Sequence, residues 1–185
     1  MGKIFSEIDE TLREFVERQH VFFVATAPNG ADGHVNCSPK GLDSLRILGP
    51  TTVAYLDYTG SGAETIAHVR ENGRIVIMLC AFEGAPKIVR FHGKGEVIEP
   101  GDAEFDALLA HFTPGTGVRS IIRIEVQRIS DSCGFGVPHL RFEEERAQLS
   151  LWATKKGESL ETYKRQKNAK SIDGLPALRW SGGMT

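Results

Sequence analysis

Little in this chain ties it to a membrane, a metal or a catalytic side chain. No apolar run among its 185 residues approaches the roughly 20 needed to cross a bilayer. The N-terminus opens on an acidic amphipathic stretch, where a secretory leader needs a basic start and an apolar middle. Neither sign of charge dominates: 22 Lys and Arg stand against 24 Asp and Glu, which gives no electrostatic argument for a nucleic-acid or lipid partner. Cys37, Cys80 and Cys133 form no C-x-x-C pair, so a reduced, cytoplasmic chain without zinc is expected. Six histidines show no tight ligand spacing, and metal catalysis is not supported. A G-x-S-x-G elbow, a P-loop and a strand-to-helix G-x-G-x-x-G are all missing. No catalytic side chain is therefore nominated.

What is present is organised around Thr52 to Cys80. Thr52 to Leu56 is β-rich, Tyr58 to Gly62 is a polar glycine loop, Ser61 to Asn72 has helical spacing, and Arg74 to Cys80 returns to a strand pattern. Ser61 and Glu64 are spaced as an S-x-x-E capping box, and Gly73 is placed to end the helix in a left-handed conformation. N–H groups at such a helix start can hold a phosphate. An ordinary surface connection would read the same way.

Along the rest of the chain, Ser6 is placed to cap a first helix running to about Gln19, with Ile8, Leu12, Phe15 and Val16 on one face. Val21 to Ala27, the turn PNGADG and His34 to Ser38 read as an antiparallel pair. Ser44 to Leu48 is a short strand, and Lys87 to Ile98 a long one. Asp102 is placed to cap a helix through Leu108 and Phe112. In the strand from Val118 to Ile129, Val118, Ser120, Ile122, Ile124 and Val126 alternate against Arg119, Ile121, Arg123, Glu125 and Gln127. Six or seven strands with short antiparallel connections, and helices inserted between them, predict a mainly β, α+β fold closing into a barrel. Residues 1–185 are read as one domain with a core over about 4–130, followed by a helical extension and tail over about 140–180. In that extension, helical spacing begins near Glu143, Glu158 to Lys170 is strongly basic, and SIDGLPALRW at Ser171 to Trp180 carries apolar anchors. The anchors are expected to dock on the chain's own core or on a partner subunit, and Ser181 to Thr185 to be disordered.

One constellation stands out. In HVNCSPKG, Asn36, Ser38 and Lys40 are two residues apart and share one face of an extended strand. They offer an amide and a hydroxyl for a polar ring system and a cation for a phosphate. A half-exposed strand with a solvated face shows the same alternation. Cys80 reads as a small core residue; Cys37 and Cys133 lie beside polar or glycine-rich segments.

The order VFFVATA, HVNCSPKG, VAYLDYTGSGAETIAHVRENGRIVIML, KIVRFHGKGEV resembles the pyridoxamine 5′-phosphate oxidase-like flavin-binding family over about Ile4 to Ile129. The resemblance implies a six- to seven-stranded antiparallel split β-barrel, a homodimer, and noncovalent FMN in a groove between subunits, acting on an unknown small molecule. It carries Tyr58 and Thr59, then Ser61, Glu64 and Thr65, to the phosphate end, and Asn36 and Ser38 to the ring, with Lys40 as a donor to either. The family places basic residues in the first helical turn, where this chain has Ala63, Glu64 and Thr65. The phosphate is therefore expected to lean on backbone N–H groups, with Lys40, Arg46 or Arg74 as counter-charge. SIDGLPALRW is not the true oxidase's C-terminal substrate pattern, which argues against pyridoxamine phosphate oxidation. A flavin-binding module without turnover, or a split barrel holding a deazaflavin or haem, are the alternatives.

Overall fold

β-branched runs set the strands, and their order in space follows from where both faces can be buried. The computed structural model describes residues 2–180, so the disorder expected for Ser181 to Thr185 lies outside the described residues. The elements run β1 (Ile4–Phe5), α1 (Glu10–Glu17), β2 (Phe22–Thr26), β3 (Asn36–Lys40), β4 (Leu45–Gly49), β5 (Thr52–Tyr58), α2 (Glu64–Asn72) and β6 (Arg74–Cys80). They continue through β7 (Ile88–Ile98), α3 (Phe105–Leu109), β8 (Val118–Ser132), α4 (Gln148–Lys156) and α5 (Ser159–Lys167). The strands form one sheet in the order β3-β2-β6-β7-β8-β5-β4, with β1 pairing β8 off this path. Every pairing is antiparallel. The terminal strands β3 and β4 are not paired with each other, so the barrel is split as expected.

The long strands β7 and β8 are the frame, with a register shift between His92 and Gly93 that bends their ladder. Alternation on β5 and β8 sends side chains to two cores. Tyr55, Ile122 and Ile124 join Leu12, Val24, Ile66, Ile77 and Phe91 in the larger one. Ala54, Leu56 and Ile121 meet Ile98, Phe105, Leu108 and Phe112 in the smaller. Between them the β5–β8 register shifts at Asp57/Tyr58, so Arg119 has no partner across the ladder and its buried side chain reaches Asp57. Gly73 ends α2 at φ 71°, the left-handed conformation expected for it.

Local cap patterns fared worse than strand patterns. The first helix is capped by Asp9, whose carboxylate accepts from Leu12 N at 2.8 Å, and it ends at Glu17. Asp102 caps no helix; its carboxylate accepts from Glu99 N at 2.8 Å, and α3 is a five-residue piece starting at Phe105. Residues 133–147 carry no regular structure, so the helical extension begins at Gln148, after Glu143. Leu140 N donates to Phe82 O at 3.0 Å and the Phe142 ring stacks on His20 with centroids 3.6 Å apart. The tail docks on its own core: Ala177 and Leu178 are buried in the larger cluster, and Arg70 Nε donates to Ala177 O at 2.7 Å.

Candidate functional site

The glycine loop after β5 is pinned from several directions. Thr59 N and Thr59 Oγ1 donate to Gly117 O at 2.8 and 2.9 Å, which turns the Thr59 side chain inward and buries it. Gly117 sits at φ 95°, and a Cβ there would lie 2.9 Å from that of Ala153 in α4. Arg119 Nη1 donates to Gly62 O at 2.7 Å. From the far end of the chain, buried Asn168 donates through Nδ2 to Gly60 O at 3.0 Å and Gly62 O at 3.4 Å. The Gly60, Ser61 and Gly62 N–H groups make no hydrogen bond among the described residues.

The expected capping box does not form. Helix α2 starts at Glu64 itself, so this residue stands at the first helical position instead of the third and cannot fold back to Ser61 N–H. Its Oε2 instead accepts from Ile172 N at 3.0 Å. A cavity of about 650 Å³ opens between this loop, β3 and the 167–172 segment, within the usual size range of small-molecule sites. Its walls include Asn36, Ser38, Lys40, Tyr58, Ser61, Glu64 and Thr65, together with Arg119, Lys167, Lys170, Ser171 and Ile172. Seven of the eight residues singled out in the sequence thus meet at one cavity, and Thr59 lies behind its wall.

The polar floor is ordered. Asn36 Nδ2 donates to Thr65 Oγ1 at 3.1 Å, and Ser38 Oγ donates to Asn36 Oδ1 at 3.2 Å, which sets the amide's orientation. Beneath them Asp57, with a fully buried side chain, accepts from Lys40 Nζ at 3.0 Å and from Arg119 Nε at 2.7 Å. Burial pushes the Asp57 carboxyl up, but the Arg119 and Lys40 charges outweigh it and hold the pKa at about 2. The Tyr55 hydroxyl next to this group is buried without a hydrogen-bond partner, and burial together with the Asp57 charge raises its pKa well above the ordinary value. On α2, His68 Nδ1 and Thr26 Oγ1 share a hydrogen bond at 2.9 Å; burial lowers the imidazole's pKa.

The pyridoxamine 5′-phosphate oxidase family profile matches residues 8–133. The chain belongs to that family. It is 38% identical to the pyridoxamine 5′-phosphate oxidase family protein ustO of Aspergillus flavus over 96% of this chain and 78% of that protein. Among solved structures it is similar to a variant of HupZ from Group A Streptococcus, with 25% identity, 68% and 99% of the two chains covered, and a TM-score of 0.54. A pyridoxamine 5′-phosphate oxidase-like protein of Lactobacillus delbrueckii shares the fold at 18% identity and a TM-score of 0.52, with 69% and 98% covered.

In this family member, two of the cations nominated from sequence lie away from the cavity. Arg46 is bound by the Asp43 carboxylate at 2.7 and 2.9 Å, and Arg74 reaches Pro28 O at 3.1 Å. Arg119, Lys167 and Lys170 stand at the cavity in their place. Arg119 was not legible from alternation. The register shift at Asp57/Tyr58 skips it, so Val118 packs with Ile121 in the smaller core while Arg119 reaches Asp57.

Proposed function

We propose that this chain binds FMN noncovalently in the β3–glycine loop cavity and uses it for hydride transfer to a small molecule. We read it as a single-domain, cytoplasmic homodimer. One observation carries the flavin reading: in a chain of this family, residues from three separate segments (36–40, 58–65 and 167–172) converge on one cavity with polar groups on its floor and cations on its walls. The residues present fit the group. Asn36 and Ser38 offer oriented amide and hydroxyl groups to a heteroaromatic edge, and the unpartnered N–H groups of Gly60, Ser61 and Gly62 suit an anionic end.

FMN, when bound, supplies the redox chemistry, and the protein supplies binding, orientation and electrostatics. Asp57 holds Lys40 and Arg119 in place, and Thr65 keeps the Asn36 amide turned toward Ser38. Three free cysteines favour a reducing compartment. Support for the homodimer comes from large exposed apolar side chains, Phe135 at 81%, Leu151 at 66% and Ile172 at 71%, the last of them on the cavity rim.

Purified protein tests the reading directly. A visible flavin spectrum, stoichiometric FMN identified by mass on release, a dimer by light scattering, and bleaching by NADH or NADPH are expected. Colourless protein that does not take up added FMN would sink the cofactor assignment. A monomer that still binds FMN would sink the dimer alone.

A further inference from the structure

The C-terminal extension brings the cavity two cations that lie outside the matched family region, which ends at residue 133. Lys167 closes α5 and Lys170 follows the buried Asn168. Both line the cavity, and neither makes an ion pair among the described residues. The other two cations there, Lys40 and Arg119, are already committed to Asp57. The one carboxylate on the wall, Glu64, is engaged by Ile172 N. Two positive charges are therefore unmatched at a place where helix α2 starts with no basic side chain of its own.

The same segment orders the loop that these lysines face. Asn168 Nδ2 and Arg119 Nη1 occupy the Gly60 and Gly62 carbonyl oxygens, the groups that would repel an anion, and leave the loop's N–H groups unpartnered. The Oδ1 of Asn168 stays buried without a partner, a cost kept while its amide clamps two carbonyls. A dianion with three acceptor oxygens matches two ammonium groups plus backbone donors; a single carboxylate does not use them all.

We propose that Lys167 and Lys170, delivered by the C-terminal extension, form with the Gly60–Gly62 backbone a phosphate-monoester site, and that they replace basic residues in the first turn of α2. The inference rests on the flavin reading above, and the phosphate it assigns is that of FMN. Both lysines are exposed, so their removal leaves the packed core intact. The extension is then a part of cofactor recognition: flavins lacking the phosphate gain nothing from it.

Fluorescence titration of the full chain with FMN and with riboflavin, for wild type and Lys167→Ala/Lys170→Ala, is the test. Wild type is expected to prefer FMN. The double variant is expected to lose FMN affinity by on the order of 10- to 100-fold, as befits two charge-assisted contacts, with riboflavin affinity unchanged. Added salt weakens FMN binding in wild type and much less in the variant. An unchanged FMN-to-riboflavin ratio in the variant overturns the site, as does equal loss of both flavins, which marks the lysines as shaping the cavity. Equal binding of both flavins by wild type overturns the assignment of the phosphate. Failure of wild type to bind either flavin overturns the flavin reading itself.

Discussion

Two buried carboxylates in this molecule each hold an arginine, and the burial of that arginine separates their roles. Asp57 has no exposed side-chain surface, and Arg119 beside it has only 5%. Glu99 is buried too, with 10% of its side chain exposed, but the Arg70 guanidinium it accepts from is 23% open; it also takes the backbone Arg179 N at 3.1 and 3.2 Å. The first group joins β3, β5 and β8 under the candidate site; the second ties the tail to α2. In the first, water cannot replace a lost partner. In the second it reaches the arginine. The same chemistry is therefore obligatory beneath the cavity and adjustable at the tail.

The largest expected effect is at Asp57. Asp57→Asn keeps the volume but leaves Arg119 buried without a counter-charge, and urea unfolding should show a loss of about 3–5 kcal/mol. A loss no larger than that of Glu99→Gln would break the contrast. Glu99→Gln should cost about 1.5–3 kcal/mol, because a buried carboxylate loses its charge while Arg70 stays partly solvated, and should also show as faster proteolysis of the tail. At the small end, Arg13→Ala removes contacts to Glu10 and Glu17 at 3.9 and 3.6 Å. These pairs are exposed, and the change should stay within about 0.5 kcal/mol.

Acid sharpens the same contrast. The folded-state pKa of Asp57 is depressed, so its contribution is fully present above the unfolded value of 3.8 and is lost as pH falls through about 2. His68 acts earlier. Its folded pKa is also lowered, so stability begins to fall as pH drops below the ordinary 6.5, where the unfolded chain takes up a proton that the buried imidazole resists. Urea midpoints measured from pH 8 to pH 2 should show a shallow decline below 6.5 and a steep one below 4. His68→Gln should lessen the first, to which His92 also contributes, and Asp57→Asn should lessen the second, which Asp102 and Asp173 share.

Period-two patterns were readable because neighbouring residues carry them. β2, β5, β6 and β7 fall where alternation and β-branching place them, and Asn36, Ser38 and Lys40 share the face expected of a strand. The cap at Ser61 was misleading for a physical reason. Glu64 has a better partner in Ile172 N, 108 residues away, than in the loop beside it. Lys167 and Lys170 were visible as part of a basic stretch, but nothing local says which cavity a helix will face.

The sequence by itself determined the antiparallel strands, the glycine-terminated α2, the loop leading into it and one polar wall of the cavity, because these follow from short-range sterics and hydrophobic periodicity. Only the tertiary structure decided that Arg119 and Lys40 would share the buried Asp57, and that Asn168 would clamp the glycine loop. The other wall, built from the C-terminal extension, was likewise decided there. Those contacts join residues 17 to 108 positions apart. Their worth depends on the low-dielectric interior formed only when the two cores close.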